Sequence, residues 1–542
     1  MRCLPLLLLA CGGPPPAEKA DPAGPVDDSA LETDSGPAPD DTAPPAPESW
    51  RSALFPVDWT PTSTHESGAF LHDFSYAGYQ EGADRPPLPA AQVSVLDEGA
   101  DPSGVADSQP AFAAAIAACA ALAPCTVWVP AGLYRIDGLL EVRDSGVVLA
   151  GEGSGQSHLY FTTADGMTDR AHLSFVGAER VLGETLLTED GLSRGTAVRV
   201  ADTTGLSVGD EVQVGFVITA DFVAAHGMTD TWTVFVDQWK PFFRRTVVAL
   251  DGDRVTLDVP LRYPVLLRDG ASLRRVEGAL TEVGVVGLGL STVGDWDTAW
   301  TLARTHALRL EDVRDAYVED LASFEGPGSV DGRGRHLLSG GVVVRDSRRV
   351  TLRQLELQAP QNRGGGGNGY LVEVSRSNEV LIEDAVAVDG RHNFIQNWDF
   401  GSSGLVWRRV HSAGGELWSS ADTGGSRGCS EFHHSLSMAN LIEQSTLDDC
   451  WKAVNRGLES SGAGHTATET TFYNNDGLGY IWSLQAGVGH VIGAGGLTVE
   501  TAVDCCWIEG LATEPEDWFE TEALPLDPPS LYENQRQRRL GD

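Results

Sequence analysis

The sequence predicts an all-β chain wound as a single-stranded parallel β-helix, with a helical cap at its N-terminal end and an antiparallel β subdomain inserted into the coil. Three observations predict it. The block from Val93 to Gly153 runs turn, Ala-rich helix and short β-branched strands in close succession. Strand–turn–strand segments recur from Leu280 onward at spacings of about 20 to 32 residues, which suits one solenoid turn plus variable loops. Between the two, residues 182–264 alternate apolar and polar side chains around a hairpin signal.

The chain opens with MRCLPLLLLA, a basic residue and an apolar run far shorter than the roughly 20 residues that span a bilayer. Residues 1–10 read as a signal peptide. Leu8-Leu9-Ala10-Cys11 resembles a bacterial lipobox, which makes Cys11 the expected lipidation site; a short secretory signal with an incidental Cys11 is the alternative. Residues 11–50 are rich in Pro, Ala, Asp, Glu, Ser and Thr and nearly devoid of large apolar side chains. Such a segment cannot bury enough surface to offset its ordering entropy, so a disordered acidic tether is predicted. These features predict an exported, lipid-anchored protein at the outer membrane or surface of a bacterium. The formal net charge of -39 argues against binding nucleic acid or an anionic polysaccharide over the whole surface, while a local basic groove stays compatible with it.

Residues 51–181 hold a lead-in, the cap and the first turns. The lead-in carries Asp73-Phe74-Ser75-Tyr76-Ala77-Gly78-Tyr79, whose rings either pack along the solenoid or form a sugar-stacking surface. Asp107 and Ser108 are good helix N-caps. Phe112, Ile116 and Cys119 then fall on one face of an Ala-rich helix, as a cap over the first open rung requires. Thr126-Val127-Trp128-Val129 follows as a β-branched strand stopped by Pro130-Ala131-Gly132. The order GADPSGVADS, Ala helix, VWVPAGLYRI and VVLAGEG resembles the N-terminal segment of the pectate-lyase-like superfamily, in the branch with rhamnogalacturonase and epimerase relatives. That resemblance implies a right-handed coil, but no particular reaction.

In residues 182–264, Asp251-Gly252-Asp253 joins two alternating strands. The stretch WTVFVDQWKPFFRR from Trp232 to Arg245 concentrates rings and cations, either to contact sugar or to anchor its own loop. Residues 265–516 carry the main β-helix, and the polar tail 517–542 packs along its side or ends the stack. Beyond Cys3 and Cys11, six cysteines remain, an even number that suggests disulfides in an exported chain. Cys119–Cys125 and Cys429–Cys450 are the candidate bridges, with buried free thiols as the alternative. No CxxC pair or Cys/His spacing points to structural zinc.

Five of the 13 histidines fall between His392 and His465, among unusual polar residues. Successive rungs of a β-helix stack about 4.8 Å apart, so sequence-distant groups can converge. Aligning HNFIQNW, HHSLSMAN, KAVNRG and GYIWSLQ makes His392 and His434 neighbours, with Gln396, Ser437 and Arg456 along one face. Alternatively, His and Asn ladders only satisfy backbone groups at turns. The pattern GRHNF, HH, NRG and SGAGH resembles a group of bacterial pectate-lyase-like proteins, which implies His392, His433, His434, Asn455, Arg456 and His465 as a shared site without roles. Asn393 and the Ser435-Leu436 pair depart from that pattern. The acid order of polygalacturonases and the calcium-binding acids of true pectate lyases are not recognisable. Gly364-Gly365-Gly366-Gly367 lacks the strand, Lys and helix of a phosphate loop.

These residues lead us to expect a polysaccharide lyase acting on an acidic, uronate-containing glycan. His434 is the expected base, Arg456 the carboxylate partner, and His392 with Asn393 the groups that orient the sugar or serve as second acid. Gln396, Asn455, Asp399 and Asp422 are the remaining substrate-binding candidates, and Asp399 or Asp422 would serve the alternative of glycoside hydrolysis. A surface adhesin that binds glycan without cleaving it is the reading from another class. No cofactor is required by the sequence, though a divalent cation such as calcium is compatible; the oligomeric state is open.

Overall fold

The computed structural model describes residues 49–294, 296–327, 334–418, 425–501, 517–521 and 525–541. The signal peptide, Cys11, nearly all of the tether, Asp422, Cys505 and Cys506 lie outside the described residues. The body is a right-handed parallel β-helix. One sheet of ten strands runs without a break of order from Leu140–Val142 through Ala171–Val176, His306–Glu311, Gly340–Arg345, Tyr370–Ser375, His392–Asn397, Ser430–Phe432, Cys450–Ala453 and Tyr480–Ser483 to Thr498–Glu500. Each strand pairs in parallel with the next rung. A sheet of 19 strands forms the other walls. The chain bends between walls at residues held in the left-handed region, among them Gln354 (φ 55°), Asp384 (φ 53°), Arg409 (φ 49°) and Gln444 (φ 50°).

The core follows from the register. Leu308, Val342, Val372 and Phe394 sit opposite one another on consecutive rungs, and Trp451 and Ile481 continue the buried stack. Polar ladders fill the corners: Asn378 Nδ2 donates to the Phe242 and Gly401 carbonyls and to Ser403 Oγ, all at 3.0 Å. At the open end the helix Gln109–Ala120 covers the first rung with Phe112, Ile116 and Cys119 buried, and Cys119 is bonded to Cys125. Asp107 Oδ1 accepts from the Gln109 amide, whereas Ser108 Oγ turns away to accept from the Asp101 amide.

The antiparallel insertion is a six-stranded sheet with its own core. It begins with Arg180–Leu186 and ends with Ser272–Glu277, so it runs past the 182–264 expected from sequence, and the parallel coil resumes at Leu280–Thr281. The late end has a simple cause. Ser272–Glu277 pairs with the first strand of the insertion and closes the sheet, yet its Leu-Arg-Arg-Val reads equally well as a solenoid strand. Asp251 and Arg254 close the hairpin, with Gly252 at φ 61° supplying the turn. Trp232, Phe235, Phe242 and Phe243 are buried, so the ring-rich stretch is mostly core. Phe216 and Phe242 stack at 4.0 Å, and Phe400 of the β-helix joins them.

The lead-in lies on the outer face of the β-helix. Phe55, Trp59, Leu71 and Phe74 pack with Leu381, Val406, Leu441 and Tyr473, and the helix Leu531–Leu540 closes over them through Leu531 and Tyr532. Tyr76 and Tyr79 are engaged here as well: the Arg539 guanidinium sits 4.6 Å from the Tyr76 ring, and Tyr79 Oη donates to Glu282 at 2.6 Å. Among the described residues no helix is long and apolar enough to cross a membrane.

Candidate active site

A polar cleft of about 380 Å³ opens on the ten-stranded sheet. Its floor comes from the strands Tyr370–Ser375 and His392–Asn397, which are adjacent rungs with Tyr370 opposite His392. One end is walled by His433, His434, Ser460 and Ser461, and the other by Asp169, Arg304 and the Gly366-Gly367 loop. Four guanidinium groups, Arg304, Arg345, Arg376 and Arg391, line this one cleft. Asp169 pairs with Arg304, and Asp346 pairs with Arg376. Arg345 lies 3.8 Å from Glu311. Arg391 differs from the others: it donates to the Gly364 carbonyl at 2.8 Å, and no carboxylate among the described residues lies within ion-pair distance of it. Its guanidinium stands 5.7 Å from the Tyr370 ring. Burial pushes the Tyr370 hydroxyl up to about 12, against the pull of Arg391.

Beside Tyr370 sits a tight group. The His392 ring lies 5.0 Å from Tyr370 and 5.5 Å from His433. His392 Nδ1–H donates to the Cys429 carbonyl, and its Nε2 lies 3.6 Å from Glu431 Oε1. His433 Nδ1–H donates to the same Glu431 oxygen, and Ser460 Oγ lies 3.2 Å from His433 Nε2. Burial lowers both imidazoles, His392 to about 3. Burial alone would raise Glu431, but the neighbouring His392, Arg456 and His433 hold its carboxyl well below the usual range. Ser460 (φ 49°) and Ser461 (φ 65°) hold left-handed backbone where they reach the cleft.

Against this geometry the expected site residues divide. His392 and His433 come together, and His434 lines the cleft beside them. His434 nevertheless has no lone pair to spare. Its Nε2–H donates to the Ser460 carbonyl at 2.7 Å, so Nδ1 must accept from Ser435 Oγ at 2.6 Å, and burial lowers it to about 3. To act as the base expected from sequence, His434 would have to give up the Ser435 contact. Arg456 donates to the His433 carbonyl at 2.8 Å and to Glu459 at 3.2 Å. His465 borders a different cavity, with His226 and Tyr263. Asn393 is a buried tie whose Nδ2 meets Ser412, Ala413 and Asp449. Asn455 accepts from the Gly457 amide in a turn, Gln396 is fully buried with Nε2 on the Asn397 carbonyl, and Asp399 is paired with Lys240 of the insertion. These four are engaged in contacts within the fold.

The register explains the error. The rung next to His392–Asn397 is Ser430–Phe432, with Gln396 opposite Phe432. Ser437–Met438 pairs instead with Ala467–Thr468 on another wall, because Ser435 (φ 33°) and Leu436 (φ 49°) turn the chain between them. Tyr370 and Glu373 line the cleft without having been expected there; their sequence signal is an aromatic and an acidic residue in an otherwise apolar rung strand, Tyr370–Ser375.

The family model for rhamnogalacturonase A/epimerase, pectate lyase-like, matches residues 92–189. By fold and by this match the chain is a parallel β-helix protein with a pectate-lyase-like N-terminal segment. No curated protein matches the sequence. Among solved structures, the tailspike protein gp49 from Pseudomonas phage LKA1 is similar at 14% identity and TM-score 0.47, over 76% of this chain and 64% of that one. The tailspike gp61 of Pseudomonas phage phi297 is similar at 13% identity and TM-score 0.47, over 80% of this chain and 78% of that one. The catalytic unit of a GH87 α-1,3-glucanase from Streptomyces thermodiastaticus is similar at 14% identity and TM-score 0.36, over 81% of this chain and 69% of that one. The chain thus spans just under two thirds of the first tailspike's length.

Proposed function

We propose that the cleft binds a uronate-containing polysaccharide and cleaves it by β-elimination. The observation that carries this reading is the gathering of Arg304, Arg345, Arg376 and Arg391 in one cleft of a chain whose net charge is -39. Against so acidic a background, a cationic cleft selects an anionic ligand locally. Three of the arginines have carboxylates near them, which leaves Arg391 to grip a uronate carboxylate through its planar fork. That grip withdraws charge from the carboxylate and acidifies the proton alpha to it. We assign the acceptor of that proton to Tyr370, next to Arg391, acting with its hydroxyl ionised, a form that burial restricts to high pH. The electron pair then forms the ring double bond, the glycosidic C–O bond breaks, and the leaving oxygen takes the proton back from Tyr370, which returns to its ionised form.

The test is incubation of the purified chain with a panel of uronate polysaccharides, following ultraviolet absorbance of the unsaturated product. Absorbance should rise with at least one glycan, and Arg391→Gln should cut kcat/KM by about a hundredfold or more, the scale of one lost charge-assisted contact. Tyr370→Phe should abolish turnover while leaving glycan binding measurable. New reducing ends without absorbance would replace elimination by hydrolysis. Binding without any product would make the protein a surface glycan binder.

A further inference from the structure

His392 is short of a cation. Its Nδ1 faces the Cys429 carbonyl, which only accepts, so Nδ1 carries the hydrogen and the neutral ring has its lone pair on Nε2. His392 is more than nine-tenths buried, and among the described residues its Nε2 has no hydrogen-bond partner. That nitrogen looks at Glu431 Oε1, 3.6 Å away. A ring nitrogen and a carboxylate oxygen, both buried and facing each other, offer two donor atoms to a cation placed between them. His433 brings Nδ1 to the same carboxylate oxygen, and the ligand atoms of all three residues lie within 4.8 Å of one another.

We infer that His392, Glu431 and His433 form a binding site for a divalent transition-metal ion, with zinc as the best-fitting member of that class. Two imidazole nitrogens and one carboxylate oxygen are a set that such ions take readily, with a further position left open. His433 lines the cleft, so the open position faces it. The surrounding groups suit the role. The Cys429 carbonyl fixes the His392 tautomer, and the Cys429–Cys450 bridge holds that carbonyl in place. Ser460 Oγ, 3.2 Å from His433 Nε2, can accept the ring proton when Nδ1 turns to a metal. Arg456 lies 3.8 Å from Glu431 and opposes an incoming cation by its charge. The neutral nitrogen donors must then carry the affinity, which favours zinc over calcium, an ion that seeks oxygen. The site stands whether or not the cleft cleaves uronates.

The full chain, stripped with a chelator, is titrated with Zn2+ and separately with Ca2+ by calorimetry, and its metal content is measured after dialysis. One Zn2+ per chain should bind, and Ca2+ should not compete. In the parent protein, zinc should shift the 15N resonances of the His392 and His433 rings, a readout that needs no variant. His392→Gln and Glu431→Gln should each lose the bound zinc, with metal-free circular dichroism like that of the metal-free parent; His465→Gln, in another cavity, should keep it. Zinc binding that leaves the His392 and His433 resonances unmoved would overturn the inference. So would the absence of stoichiometric zinc, or a metal-free His392 carrying protons on both ring nitrogens at neutral pH, since the imidazolium would then itself supply the charge. A negative elimination assay with zinc bound would remove the proposed reaction and leave the metal site standing.

Discussion

Glu379 is a single carboxylate set between two guanidinium groups, all three essentially without solvent contact. Arg262 meets it through Nε at 3.2 Å and Nη2 at 2.9 Å, and Arg245 stands 3.4 Å away. Both arginines come from the insertion, and Glu379 belongs to the β-helix, so this residue pins one to the other. Arg262 also donates to the Asp73 carbonyl at 2.6 Å, which ties in the lead-in. The space is exact enough that Gly404 admits no side chain: a Cβ there would lie 2.3 Å from Glu379 Oε2. Removing one partner of a buried ion pair leaves charge uncompensated, and here it would leave two cations. Glu379→Gln should therefore cost about 3–5 kcal/mol in chemical denaturation. A loss under about 1 kcal/mol, the value of an exposed pair, would mean that water reaches the cluster.

At the scale of elements, the Cys429–Cys450 bridge spans 21 residues of sequence and ties the rung Ser430–Phe432 to the rung Cys450–Ala453. In the chain-entropy account a loop of that length contributes about 3 kcal/mol by restricting the unfolded state. The double replacement Cys429→Ser, Cys450→Ser should lower stability by about that amount. It should also weaken zinc binding by about 10- to 100-fold, the usual effect of loosening a group that orients a ligand. Unchanged zinc affinity alongside lower stability would separate the bridge from the site. The same elements show what was legible in the sequence. The cap helix, the rung strands and the hairpin at Gly252 announced themselves through local propensity and turn chemistry, because those features act over a few residues. The site did not. His392 and His433 are brought together by a rung whose strand is only Ser430–Phe432, carries a buried Glu and ends in a left-handed turn. Nothing local distinguishes that strand from a loop, so the sequence pattern points instead to His433–Asn440 as the neighbouring strand. Tyr370 reaches His392 through register alone, and Arg391 stands apart only because the carboxylates that neutralise its neighbours lie elsewhere.

Taken as a whole, the coil buries histidines along its length, and burial lowers several of them. His490 is the cleanest of them: it contacts Thr471 Oγ1 through Nδ1 at 3.1 Å and has no partner for Nε2 among the described residues. Burial, with a smaller contribution from His72, lowers it to about 3. Burial likewise lowers His172 and His465 to about 4. Because these folded values lie below the unfolded value near 6.5, the unfolded chain binds more protons between the two. Their contribution to stability is intact above about pH 6.5 and falls as pH drops toward the folded values, by about 1.4 kcal/mol per pH unit for each group. Carboxyls raised by burial, such as Glu443 and Asp449, act in the opposite direction, because the folded chain holds their protons at higher pH than the unfolded chain does. The histidine effect is therefore best read as a difference. His490→Gln should be less stable than the parent at pH 7, where only packing and the Thr471 contact are lost. Between pH 6.5 and pH 5 the gap should narrow by about 2 kcal/mol, because the variant no longer carries a group that must stay unprotonated to fold. Denaturation curves at the two pH values measure it, and a gap that stays constant would show that His490 takes up its proton as readily in the folded coil as in the unfolded chain.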